Sequence, residues 1–149
     1  MQARDATRKA PVTVAPDTAV AEVAALMDRA VVGGVVVVDG DHPVGIVTDR
    51  DLAVRALARR APADARVDSV MSTDLVTLDA SADLRDAIRI FSSHAIRRLP
   101  LVDGGRMVGM ITVDDLVVDV ATDLAELIRP LTGQLIFGHP EPAVPAPAP

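Results

Sequence analysis

Two seven-residue segments share a pattern that can do chemistry: Gly45-Ile46-Val47-Thr48-Asp49-Arg50-Asp51 and Gly109-Met110-Ile111-Thr112-Val113-Asp114-Asp115. Each runs glycine, two apolar residues, threonine and, three residues on, aspartate. Where a strand ends and a helix starts, backbone N–H groups and the helix dipole favour an anion. A threonine hydroxyl there can donate to a phosphate oxygen, and a carboxylate one turn later can accept from ribose hydroxyls. The same spacing is that of a capping box, in which the threonine accepts from the third helical amide and the acidic residue supports the helix start. The spacing alone admits both uses.

The other reactive side chains form no constellation. His42, His94 and His139 stand apart without metal-ligand spacing, and only His94, close to Arg97 and Arg98, has a phosphate role in view. Asp79, Ser81, Ser92 and Ser93 make no nucleophile arrangement with a histidine base. Met27, Met71, Met107 and Met110 fall on apolar positions and read as core. The absence of cysteine eliminates disulfides, zinc thiolates, iron–sulfur clusters and cysteine nucleophiles.

The elements that must position the two motifs come from an internal repeat. Sliding the chain on itself by 64 residues places Val12 on Val76, Thr13 on Thr77, Val37-Val38-Asp39-Gly40 on Leu101-Val102-Asp103-Gly104, and 44–52 on 108–116 without gaps. Hydrophobic period divides each repeat into strand, helix, strand, strand and helix. In the first, Val12–Ala15 is a short strand, and Val20, Val23, Ala24 and Met27 lie on one helical face after a start signal in which Asp17 or Thr18 is available as cap. Val35–Asp39 and Val44–Thr48 then form a hairpin around Gly40-Asp41, and Asp51–Arg60 is a helix ended by Pro62. The second repeat predicts strands near 76–78, 98–103 and 108–112 and helices near 83–94 and 114–129. Neither repeat, at roughly 60 residues, buries enough surface alone, so the two should pack face to face. Gly133–Phe137 is a short apolar segment that packs back on the core or meets a second subunit. The proline-rich stretch from Gly138 reads as a disordered or polyproline-like tail.

These residues carry a family resemblance. The tandem arrangement, with 38–52 in the first copy and His94-Ala95-Ile96-Arg97-Arg98-Leu99-Pro100-Leu101-Val102-Asp103-Gly104 in the second, resembles a pair of CBS domains, together called a Bateman module. It covers roughly residues 3 to 129, which implies CBS domain 1 at 3–61, CBS domain 2 at 67–129, and an apolar segment and tail at 130–149. The implied fold is α/β (α+β), with two β-α-β-β-α repeats packed through their sheets with pseudo-twofold symmetry. Two clefts between them would take AMP, ADP, ATP with Mg²⁺ or, with less support, S-adenosylmethionine.

By that resemblance Thr48 with Asp51 and Thr112 with Asp115 become phosphate and ribose ligands. Arg97-Arg98 takes the place where a cation meets the phosphates, suited by the planar fork of arginine; the alternative is a solvated pair before a strand. The first repeat has Gly33-Gly34 at the equivalent positions, and Arg50 is its substitute cation. Asp114 replaces Arg50 in the second repeat, putting two carboxylates beside the phosphate position and disfavouring a polyphosphate. Val12 and Val76, with Thr73 nearby, would cradle adenine through backbone groups, between aliphatic side chains because no Trp or Tyr exists.

Composition bounds the rest. The chain has 149 residues, 50% of them hydrophobic, and 21 acidic against 15 basic side chains give a net charge of −6, against the basic footprint nucleic-acid binding needs. The longest apolar run, Val31–Val38, is far shorter than the roughly 20 residues of a membrane span, and the first nine residues contain no signal-peptide core. The expectation is a cytoplasmic protein that is not an enzyme and binds neither nucleic acid nor membrane. It would be a regulatory module that senses an adenine nucleotide, forms a homodimer through the helices near 52–60 and 116–128, and signals to an unidentified partner protein. The rival is a ligand-free interaction protein acting through its dimer surface and tail.

Overall fold

The computed structural model describes residues 1–137, with side chains through Pro130. Two compact units divide the chain: Met1–Leu116, which holds both sheets, and the segment from Val117 onward. The proline-rich stretch 138–149 and the packing of the Gly133–Phe137 side chains lie outside the described residues.

The first repeat contains β1 (Thr13–Val14), α1 (Val20–Ala30), β2 (Gly34–Asp39), β3 (His42–Thr48) and α2 (Asp49–Asp51), which runs on as π-helical turns over Leu52–Leu57. The second contains β4 (Leu78–Asp79), α3 (Leu84–His94), β5 (Arg98–Asp103), β6 (Arg106–Thr112) and α4 (Val113–Phe137). Each sheet is three-stranded, with β1 parallel and β3 antiparallel to β2, and β4 parallel and β6 antiparallel to β5. The register shift between Val37 and Val38 recurs between Leu101 and Val102, so the repeat extends to the irregularities of the ladder.

β-branched residues make β2 continuously apolar, and it is buried on both faces. Val35 and Val37 join Val23 and Val47 in the first core, and Leu99 and Leu101 join Ala87 and Ile111 in the second. Val36 and Pro100, at matching positions, are also fully buried but belong to neither core. The period of two along a strand turns them to the opposite faces, where β3 lies beside β6.

Three expectations need correction. The α1 start is capped by neither Asp17 nor Thr18: the N-cap is Ala19, and the free amides of Val20 and Ala21 donate to the carbonyls of Ala65 (2.9 Å) and Ala63 (3.1 Å). Backbone from the connection between the repeats does what a side-chain cap would do. The helix expected over 51–60 is π-helical in its middle, with Ala58 N–H on Ala53 O; the same turns bring Arg55 Nη1 within 3.1 Å of the Val70 carbonyl and the Ser72 hydroxyl. Finally, Gly133–Phe137 is the end of α4 rather than a separate segment, and the helix passes through Pro130, which can donate no bond to Glu126 O.

The segment preceding each repeat is buried in the other repeat's core. Ala3 and Ala6, in a 3-10 turn over Ala3–Ala6, are 0% and 2% exposed and pack with Ala80, Ala87 and Leu99; Val67 and Val70 pack with Val14, Val23 and Val35. Hydrogen bonds show the exchange is symmetric. Ala3 N–H on Ala82 O and Arg4 N–H on Ala80 O are matched, at the 64-residue offset, by Val67 N–H on Thr18 O and Asp68 N–H on Pro16 O.

Candidate functional site

The two Thr-x-x-Asp motifs sit where β3 meets α2 and where β6 meets α4, and both are capping boxes. Asp51 N–H donates to Thr48 Oγ1 (3.1 Å) and Thr48 N–H to Asp51 Oδ2 (2.9 Å); Asp115 N–H donates to Thr112 Oγ1 (3.1 Å) and Thr112 N–H to Asp115 Oδ2 (3.0 Å). The boxes differ in one proton. Thr112 Oγ1 also donates to Asp115 Oδ2 at 2.7 Å, whereas Thr48 Oγ1 accepts from Asp51 N–H and has no acceptor of its own among the described residues. Asp51 is also ion-paired with Arg55, whose Nε lies 3.6 Å from Oδ1.

Two clefts lie beside these motifs, each built from both repeats. The first, of about 370 Å³, is lined by Lys9 and Val12 ahead of β1, Gly33-Gly34, Arg98, Met110, Thr112, Asp114 and Asp115. The second, of about 410 Å³, is lined by Ile46, Thr48 and Arg50 from the first repeat and by Asp74, Val76, Ile96, Arg97 and Arg98 from the second. Both volumes fall within the roughly 300–1,000 Å³ of small-molecule sites. The motif of one repeat therefore faces the strand entry of the other: Thr48 with Val76, and Thr112 with Val12. Asp51 and Thr73 line neither cleft, and His94, bonded to Ser93 Oγ (2.8 Å) at the end of α3, is outside both.

The cations are arranged differently from their sequence positions. Asp114, expected to repel phosphate, is ion-paired with Arg97 at 3.0 Å across the rims of the two clefts. Arg98 lies along Gly33-Gly34: a Cβ at Gly34 would fall 2.7 Å from Arg98 Nε, and one at Gly33 would fall 2.9 Å from Arg98 Nη2. The pair of glycines that looks like a missing cation is the floor on which the other repeat's arginine rests. The guanidinium of Arg98 has no ion-pair or hydrogen-bond partner among the described residues, and neither has that of Arg50. This cradle is visible only in three dimensions, although the loss of side chains at two successive positions opposite Arg97-Arg98 was its trace in the sequence.

Elsewhere the described residues hold no cluster of acidic or histidine side chains able to bind a metal. No helix of the described residues is long and apolar enough to cross a membrane. An apolar groove of about 440 Å³ between α1 and α2, lined by Val20, Ala24, Met27, Leu52, Ala53 and Leu57, lies apart from both clefts.

Comparison with known proteins bears on the same two repeats. The family model described as CBS domain matches twice, over residues 3–57 and 67–128. The chain is 39% identical over 107 residues to the CBS domain-containing protein YhcV of Bacillus subtilis, spanning 72% of this chain and 76% of that protein. Among solved structures it is similar to the CBS domain protein PAE2072 from Pyrobaculum aerophilum complexed with AMP, at a TM-score of 0.72 and 23% identity over 82% of this chain and 98% of that one. It is also similar to the CBS domain pair of MJ0100 in complex with 5-methylthioadenosine and S-adenosyl-L-methionine, at a TM-score of 0.73 and 23% identity over 83% and 98%.

Proposed function

Because the chain belongs to the CBS-domain family, with two copies forming one pair, we propose that it is a regulatory module binding an adenosine-type nucleotide in the second cleft. The observation that carries this reading is the unpartnered Arg50 guanidinium beside Thr48, in a space that the side chain of Arg98 also lines. An anion there gains charge-assisted hydrogen bonds without breaking existing ones, and Thr48 Oγ1 has a proton left to donate. Adenine would lie among Ile46, Val76 and Ile96. That similar CBS pairs have been crystallised with AMP or with S-adenosyl-L-methionine and 5-methylthioadenosine supports the ligand class. Arg50 and Arg98, with Arg97 already paired to Asp114, outnumber the single carboxylate of Asp74 and favour the phosphate-bearing member. The first cleft, with Asp114 and Asp115 facing Lys9 and Arg98, offers an anion less.

Binding would act on a partner protein by favouring one conformation of the module, in a homodimer assembled through the apolar groove of α1 and α2 and the exposed apolar residues of α4, among them Val117, Val120, Leu124 and Leu127. The test is the thermal midpoint with AMP, ADP, ATP with Mg²⁺ and S-adenosylmethionine. A ligand at about 100 times its Kd stabilises a one-site protein by roughly 2.7 kcal/mol. AMP should raise the midpoint in the wild type and fail to do so in Arg50→Ala and Arg98→Ala. The second reading, a ligand-free interaction protein, draws on the closure of both Thr-x-x-Asp motifs into capping boxes; it predicts no shift with any of the four compounds at millimolar concentration.

A further inference from the structure

Arg98 lines both clefts, and neither cleft contains a counterpart to it, because the matching position in the first repeat is Gly34. Its guanidinium rests on Gly33-Gly34, within the first cleft, and is held by no carboxylate or carbonyl among the described residues. Arg97 cannot replace it without giving up Asp114, which stands on the rim of the first cleft. On the reading that the second cleft takes a nucleotide phosphate, we infer that Arg98 is a single anion-binding group shared by both clefts, so that a nucleotide in one withdraws the cation from the other. Occupancy of the second cleft would draw the guanidinium off the glycine floor toward the phosphate. The first cleft is then left with Lys9 against Asp114 and Asp115, a poor place for a second phosphate. The two sites are coupled negatively, and the coupling needs no movement of the sheets because it is carried by one flexible side chain over two residues that lack side chains. By linkage, a ligand forced into the first cleft would weaken the second to the same degree.

Equilibrium dialysis of the full chain with labelled AMP counts the sites, and ¹⁵N spectra report where Arg98 lies. The wild type should bind one AMP per chain, with any second one bound roughly ten- to hundredfold more weakly, the worth of a hydrogen bond to a charged group. The Gly33 and Gly34 amide signals should shift as that single AMP binds. Two equivalent AMP molecules bound by the wild type, or Gly33 and Gly34 signals that stay in place on binding, overturn the sharing while leaving the nucleotide-binding reading intact. Absence of AMP binding by the wild type overturns both.

Discussion

At the scale of single residues, one threonine has to serve two purposes. Thr48 and Thr112 each close a helix start, and replacing such a cap by alanine typically costs about 1 kcal/mol. Thr48→Ala and Thr112→Ala should therefore both lower stability by about that amount in urea unfolding. Their effects on AMP should differ: Thr112 spends its proton on Asp115, whereas Thr48 does not, so Thr48→Ala should weaken AMP binding and Thr112→Ala should leave it nearly unchanged in calorimetric titration. Equal weakening would contradict the assignment of the nucleotide to the second cleft. Gly45 is constrained for another reason. An added Cβ would run into Met71 Sδ and approach the Ser72 carbonyl to 2.9 Å, closing the path by which the connecting segment crosses β3.

At the scale of elements, α1 and α3 start alike at their first amide, with Val20 N–H on Ala65 O and Leu84 N–H on Met1 O (3.0 Å), and part at the second: Ala21 N–H meets Ala63 O, whereas Arg85 N–H donates to its own N-cap, Asp83, at 2.8 Å. That bond, helped by the nearby N-terminus and by Arg85 and Arg89, holds the Asp83 carboxyl below the usual aspartate range. A carboxylate whose pKa is lower in the folded state contributes stability that is present above its unfolded pKa and is lost as the pH falls through the folded one. Asp83→Ala should thus lower the thermal midpoint at pH 7, and the gap from wild type should narrow as the pH falls below about 4. A gap unchanged by acid would assign the effect to packing instead. The exchange of preceding segments makes a second prediction at this scale. Val67 is fully buried among Val14, Val23 and Val35, so Val67→Ala should cost about 2 kcal/mol. In amide exchange the lost protection should appear first in α1 and β1–β3, the repeat to which Val67 does not belong by sequence.

At the scale of the whole molecule, the exchange means that neither repeat has a complete core without the other. The pair should unfold in one transition, and a chain starting at residue 67, which lacks Ala3 and Ala6, should fail to fold independently; a folded fragment by circular dichroism would refute this. The proposed homodimer belongs to the same scale. Leu57, 79% exposed beside the α1–α2 groove, has a solvent-facing position that an isolated pair does not require. Leu57→Asp should convert a dimer to a monomer in light scattering while leaving the midpoint with AMP responsive.

What the chain by itself determined was carried by neighbours in sequence. The repeat, the strand–helix alternation and the placement of both Thr-x-x-Asp motifs at strand ends all follow from hydrophobic period and local capping chemistry, which act over a few residues. The resemblance to CBS pairs rested on the same local segments. What the tertiary structure alone decided was every relation between the two copies: that Thr48 faces Val76 rather than Val12, that Ala65 rather than Asp17 caps α1, and that Gly33-Gly34 receives Arg98. The physical reason is that a pseudo-twofold arrangement brings the end of one repeat against the beginning of the other. Contacts between residues so far apart in the chain leave no period to read. An absent side chain, such as that of Gly34, shows its purpose only when the group that fills the space has been placed.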